Sequence, residues 1–286
     1  MKRVKTTTLI LAALALLVGN LPFGVTQQAH AGVLLNFSSP VPGTIADVNG
    51  NGTGFDTRLP GTGASLPSDD PNLNLTAGGL LITTTQTDFN YGGVNLGVAE
   101  APGFYLQGVG NSDIIASTLV DNLANFAGSD QLCLYVGTSS SNVLRGGFTY
   151  GGGANVNGVY ALTENNASTG NNDISPFVSS PNAFSPGDDV VLSIERINGL
   201  WSIAWNDLSN PSASGQSPSL DIASLDSQPN LYVGIYAANP SSPFITNDLV
   251  NFSVTTTPEP STLTLFGLGV VGMAAYGRRR RKRPVT

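Results

Sequence analysis

The side chains between Gly32 and Thr257 that could do chemistry are nearly all carboxylates. This stretch holds 18 Asp and Glu residues against three arginines, Arg58, Arg145 and Arg196, a formal charge of −15. It contains no histidine and no lysine, because His30, Lys2, Lys5 and Lys282 all lie outside it. Without histidine there is no Ser-His-Asp or Cys-His nucleophile and no histidine-bound zinc or iron, and without lysine there is no Schiff base. Cys133 is the single cysteine, so an intrachain disulfide and a thiolate metal site are both excluded. It sits in the strand-like run Gln131-Leu132-Cys133-Leu134-Tyr135-Val136, where a buried, inert thiol is expected. A field of this sign repels nucleic acid and anionic lipid and attracts cations. What remains is carboxylate chemistry: hydrolysis of glycosides, or ligation of calcium.

Three groups of residues fit those roles. Asp47, Asn49 and Asn51 offer oxygen at alternate positions of a ten-residue loop ending at Asp56, with Gly52 at the sixth position. A calcium loop begins this way, because the ion takes six to eight hard oxygens around a tight turn. Position twelve is Arg58 rather than a bidentate glutamate, so the loop is no EF-hand; the other reading is an Asn/Gly turn in which Asp47 caps backbone amides. Trp201 and Trp205 fall on one face of their strand, as do Tyr232 and Tyr236. Aromatic faces of this kind either stack on sugar rings or fill a sandwich core. Glu195 and Asp207, on neighbouring strands, are the best candidates for paired acids; the alternative is solvation, or pairing of Glu195 with Arg196 or Arg145.

The elements that must position these groups are strands. Glycine and proline together make 52 of 286 residues, and no stretch of 32–257 has sustained helical periodicity. Short β-branched or alternating runs recur between Gly, Asn, Ser and Pro clusters. The clearest are Leu80–Thr85, Ile114–Leu119, Leu132–Val136, Val143–Tyr150, Val159–Thr163, Val190–Ile197, Trp201–Asn206, Leu231–Ala237 and Val250–Thr255. Asn198-Gly199 between two of them predicts a type I′ hairpin. About a dozen short strands in one domain predict an all-β, two-sheet sandwich.

The two ends read as targeting segments. Lys2, Arg3 and Lys5 precede an apolar run from Leu9 to Val18, and Ala29-His30-Ala31 forms an A-x-A cleavage site. At the other end stand Pro258-Glu259-Pro260, an apolar run of 14 residues from Leu263 to Tyr276, and the basic cluster Arg278–Arg283. These three elements in this order resemble the PEP-CTERM sorting signal of bacterial envelope proteins. In that family a transmembrane sorting helix holds the precursor in the membrane, the basic cluster stays cytoplasmic, and an exosortase cuts near Pro-Glu-Pro. The implied organisation is a signal peptide at 1–31, an extracellular domain at 32–257 and a sorting signal at 258–286. Signal peptidase and exosortase are the processing partners, and the destination is the envelope, surface or extracellular matrix of a Gram-negative-type bacterium.

Asp188 to Val254 carries the strand DVVLSIERI, the Asn-Gly turn, LWSIAWN, then LYVGIYA and DLVNFSV. This order is similar to the C-terminal half of concanavalin A-like lectin/glucanase domains, and Phe104–Tyr150 is similar to their middle strands. The resemblance implies an antiparallel jelly-roll sandwich, with calcium held in part by Asp248 as a second ligand to the Asp47 loop. Glucanases of that fold carry E-x-D-x-E or E-x-D-x-x-E on one strand, a string absent from this chain. The expectation is therefore a non-enzymatic surface or matrix protein, with a polysaccharide as possible partner. The alternatives are a carboxylate enzyme, which needs two acids about 5 to 10 Å apart in a cleft, and a purely structural surface protein.

Overall fold

Nine runs marked by alternation all become strands, joined by six shorter ones, in two antiparallel sheets stacked face to face. The computed structural model describes residues 32–60, 72–83, 101–110, 112–123, 131–150, 157–165, 172–174, 184–226, 228–238, 246–257 and 273. In chain order the strands are β1 Val33–Asn36, β2 Thr57–Arg58, β3 Leu73–Leu75, β4 Leu80–Thr83, β5 Pro102–Leu106, β6 Asp113–Asp121, β7 Gln131–Ser139 and β8 Asn142–Tyr150. They continue with β9 Asn157–Asn165, β10 Asn172–Ile174, β11 Val190–Ile197, β12 Leu200–Asp207, β13 Gly215–Gln216, β14 Leu231–Ala238 and β15 Thr246–Thr257. The first sheet runs β13-β12-β11-β6-β15-β4-β3, with β1 also on β15, and the second runs β10-β9-β8-β7-β14-β5-β2. The expected jelly-roll sandwich is the observed architecture. Helix is confined, among the described residues, to short turns such as Ala223–Asp226.

Local chemistry explains the register. Asn198 and Gly199 both take positive φ, 53° and 78°, as a type I′ turn requires. The turn pairs Ile197 with Leu200 and carries the ladder to Val190 opposite Asp207. Val190, Leu192 and Ile194 thereby face the second sheet, with Trp201, Ile203 and Trp205 beside them on β12. β15 serves two partners on one side: its first half pairs with β4 and its second with β1, across a register shift between Leu249 and Asn251. The side chain of Asn251 fills that irregularity, accepting a hydrogen bond from the Leu119 amide at 3.2 Å.

The core between the sheets is dense in branched and aromatic residues. Phe55 sits at its centre at one end, with the rings of Phe37, Phe104 and Phe252 at 5.5 to 5.8 Å. The guanidinium of Arg196 lies inside at the other end, against the Trp201 ring, and donates to the carbonyls of Val109, Gly110 and Ser112. These bonds and the ring offset part of the hydration that a buried cation loses. The interior orientation of Arg196 also means that it and Glu195 leave the strand on opposite faces.

The predicted signal helix and transmembrane sorting helix lie outside the described residues. Among the described residues no helix is long and apolar enough to cross a membrane.

Candidate functional site

The outer face of the second sheet carries a layer of aromatic and polar side chains. Cys133 and Tyr135 of β7, Val143 and Arg145 of β8, Tyr160 of β9 and Tyr236 of β14 point away from the sandwich core, yet all are buried, with Leu59 and Ala101 packed among them. Two glycines make room for this layer. Gly103 and Gly234 pair across β5 and β14, and the Tyr135 ring lies in the trough they leave. A Cβ at Gly103 would stand 2.4 Å from its hydroxyl, and one at Gly234 would stand 2.8 Å from its ring. The Tyr135 hydroxyl donates to the Ala101 carbonyl at 3.1 Å, and burial raises its pKa far above the ordinary phenol value. Arg145 donates to Gln131 Oε1 at 3.1 Å and lies 4.5 Å over the Tyr236 ring.

At the β5–β14 end this layer reaches water. Tyr105 and Tyr232 are direct cross-strand partners, their ring centroids 4.7 Å apart and tilted by 41°. Tyr105 is 39% exposed and Tyr232 half-buried. Past them stand Gln107, exposed, and Asn230, whose Oδ1 accepts from the Gly108 amide at 3.0 Å. Tyr232 also pairs with Gly137, which brings in the Ser139–Ser141 turn between β7 and β8. Two rings, two amides and three serines thus form an uncharged patch.

The structure corrects most of the expected sugar platform. Trp201 and Tyr236 are fully buried and Trp205 is 6% exposed, so none of the three can stack on a sugar. Their polar edges are engaged as well: Trp201 Nε1 donates to Asp226 at 2.7 Å and Trp205 Nε1 to the Ala213 carbonyl at 2.7 Å. Only Tyr232 of the four keeps an accessible ring. Its partner Tyr105 was absent from the expectation, although its place in Pro102-Gly103-Phe104-Tyr105-Leu106, alternating with Phe104 and Leu106, was a signal in the sequence.

The Asp47 loop resolves as a cap. Asp47 Oδ1 accepts from the amides of Asn49 at 2.9 Å and Asn51 at 2.7 Å, and Oδ2 accepts from Asn51 Nδ2 at 3.2 Å and the Leu75 amide at 2.9 Å. An ionised carboxylate has about four acceptor positions, and all are taken. Burial acts to raise the pKa of Asp47, but the hydrogen bonds from Leu75, Asn51 and Asn49 outweigh it and hold it below the ordinary value. Asn49 spends its own side chain on Asn74, donating from Nδ2 to Oδ1 at 3.0 Å. Asp248, on β15, packs against Gly78 and Gly79 of the β3–β4 turn, with Oδ1 buried and without a hydrogen-bond partner, and burial raises its pKa. The expected ligands Asp47, Asn49, Asn51 and Asp248 thus divide between a hydrogen-bonded loop and a contact with the β3–β4 turn. Among the described residues no group of three or more His, Cys, Asp and Glu has the arrangement of a metal site.

The paired acids also separate. Glu195 pairs with Ser202 and faces outward, whereas Asp207 pairs with Val190, five rows away, and faces inward. That puts about 17 Å between them along the strands. Asp207 caps its own turn, accepting from the amides of Ser209 and Asn210. A different pair of carboxyls does meet: Asp121, at the end of β6, and Asp189, just before β11, hydrogen-bond to each other at one end of the first sheet's central strands. That bond, then burial, then the charges of Asp189 and Asp248 raise the pKa of Asp121, while the same bond and the Asn122 amide lower that of Asp189.

The processing residues Ala29, Ala31, Pro258, Glu259 and Pro260 lie outside the described residues. Residues 256–281 match the PEP-CTERM protein-sorting motif, so the chain carries the signal of an exosortase-sorted, secreted protein of Gram-negative-type bacteria. No protein of curated function matches the sequence. In solved structures the chain is similar to the GH43 protein BlXynB of Bacillus licheniformis, at 12% identity and a TM-score of 0.52, over 83% of this chain and 41% of that one. It is similar to the xylan β-1,4-xylosidase of Bacillus halodurans at 11% identity and a TM-score of 0.51, over 78% and 38%. Lectin I-B4 of Griffonia simplicifolia matches at 12% identity and a TM-score of 0.45, over 65% and 91%. The chain spans about two fifths of the two glycosidase chains. At these identities the likeness is one of fold, a two-sheet β-sandwich.

Proposed function

We propose that this protein is exported, sorted by an exosortase through its C-terminal signal, and acts outside the cell as a non-enzymatic module that holds matrix polysaccharide on the Tyr105–Tyr232 edge of its second sheet. One observation carries the reading: these two rings stand together at the surface, on a sheet whose other outward aromatics are buried. Exposed aromatic faces pair with the C–H faces of sugars as they pair with other apolar surfaces. The sorting motif supports the destination, where polysaccharide is the surrounding material. The separation of Glu195 from Asp207 supports a binding role over acid–base hydrolysis, since glycoside cleavage needs two acids flanking one bond.

The reading is tested with protein recovered from the envelope or the medium. Affinity electrophoresis through gels cast with the producing strain's own extracellular polysaccharide should retard the wild type. The double variant Tyr105→Ala, Tyr232→Ala should migrate freely while keeping its circular dichroism spectrum. Equal retardation of both proteins refutes the tyrosine edge as the contact.

A further inference from the structure

The cations of the extracellular domain can be accounted for completely, and this restricts the ligand. Between Gly32 and Thr257 there is no lysine or histidine, and the three arginines are the entire positive complement. Arg145 is 1% exposed, under the second sheet's outer layer, and spends its charge on Gln131 and the Tyr236 ring. Arg196 is fully buried in the sandwich core and bound to three carbonyls. Arg58 is half-buried on β2, where it and the oppositely charged Asp56 both act on Tyr135. Arg58 alone of the three reaches the surface in part, beside Asp56, so the domain offers a carboxylate or sulfate at most one partly shielded Arg fork and no Lys point charge.

Two further observations point the same way. The 18 acidic residues set up a field that repels any polyanion beyond contact range. The patch itself, made by Tyr105, Gln107, Asn230, Tyr232 and the Ser139–Ser141 turn, is uncharged. Rings suit the apolar faces of sugars, and amides and hydroxyls both donate to and accept from sugar hydroxyls. From these facts together we infer that the ligand is an uncharged polysaccharide, a neutral glucan, mannan or similar polymer, and that uronate- or sulfate-bearing polymers are rejected. This inference rests on the tyrosine-edge reading above, and specificity here comes as much from repulsion as from fit.

The experiment uses the mature protein, with EDTA in every gel except one parallel set in which calcium is restored. Retardation is measured in gels containing a neutral β-glucan, a mannan, alginate or polygalacturonate, at low and at high sodium chloride. The expected result is retention by at least one neutral polymer, unchanged by salt, and free passage through both polyuronates. Tyr232→Ala should weaken retention about tenfold, and Tyr232→Phe, which keeps the ring, should restore most of it. Should Tyr232→Ala prove unstable, the more exposed Tyr105→Ala serves in its place. Retention by a polyuronate in EDTA, or by a polyuronate only once calcium is restored, overturns the neutral-ligand inference while leaving the tyrosine edge standing. Passage through every gel overturns the tyrosine-edge reading itself.

Discussion

Replacing Asp47 with alanine separates a turn cap from a metal ligand. The carboxylate accepts four hydrogen bonds, three of them from backbone amides, and one of those, from Leu75, ties the loop to the end of β3. A hydrogen bond to a charged acceptor is worth about 1.5 to 3 kcal/mol, and less where water can replace it. Asp47 is buried but its partners are half open, so about 1 kcal/mol per bond is the appropriate figure, or about 4 kcal/mol in all. At roughly 2 to 4 °C per kcal/mol for a domain of this size, the melting temperature falls by about 10 °C. Asp47→Asn keeps one acceptor oxygen, which holds the Asn49 and Asn51 amides, and should lose about half as much. The acid dependence has a definite sign. The folded pKa of Asp47 lies below the ordinary aspartate value, so its contribution is complete above that value and disappears as pH falls through the lower, folded one. Wild type and Asp47→Ala should therefore converge only in strongly acid solution. Guanidinium titrations at neutral and acid pH measure the difference, repeated with EDTA and with calcium. A chelator-induced loss in the wild type as large as that of Asp47→Ala, and absent from the variant, would refute the cap and restore the calcium ligand.

Four other outcomes follow. Trp205→Ala removes a core ring together with its bond to Ala213 and should cost about 3 to 5 kcal/mol in denaturant titration; near-neutral stability with lost polysaccharide binding would return Trp205 to the surface. Gly234→Ala drives a methyl against the Pro102 carbonyl and the Tyr135 ring, so it should destabilise by about 2 kcal/mol or more by calorimetry. Asp121→Asn retains the bond to Asp189 while removing a like charge, and should stabilise by about 0.5 kcal/mol at neutral pH after solvent screening. Because the folded pKa of Asp121 is raised, the wild-type carboxyl favours folding when protonated and loses that contribution as pH rises through the raised value, so the advantage of the variant should vanish in acid. Glu259→Ala should leave precursor in the membrane, with Arg278–Arg283 still detectable by mass spectrometry.

The strands were legible because their chemistry is local. Asn198-Gly199 admits one hairpin register, and that register alone determines that Trp201 and Trp205 share the inward row with Leu192 and Ile194. β2, β3, β10 and β13 were not legible: each has only two or three residues, too few for an alternation to show. β5 was missed for another reason. Its Pro102-Gly103 opening reads as a turn, yet Gly103 is extended there because the Tyr135 ring and the β14 backbone leave no space for a side chain. The Asp47 loop matched the spacing of a calcium site because capping a tight turn and binding a hard cation ask for the same short oxygen-bearing residues. What decides between them is Leu75, 28 positions away, and no pattern within the loop announces it.

The aromatic residues show how far alternation reaches. It assigns each side chain to a face but is silent on whether the face opposite the core meets water. On the first sheet the outward row mixes serines, Ser117 bonded to Ser253, with exposed apolar side chains such as Ile115, Ile197 and Leu200, and it does meet water. On the second it does not, and β7 carries the mark of this difference. Leu132, Leu134 and Val136 alternate with Cys133 and Tyr135, so the strand is apolar on both sides, which is how a strand buried on both faces reads. Carried across the ladder to β14, that mark buries Tyr236, the partner of Cys133, and reaches its limit at Tyr232, the partner of Gly137. The two tyrosines stand on one face about 13 Å apart, one inside the layer and one at its margin. The proposed sugar contact falls at that margin, where Tyr105 completes the surface that Tyr232 begins.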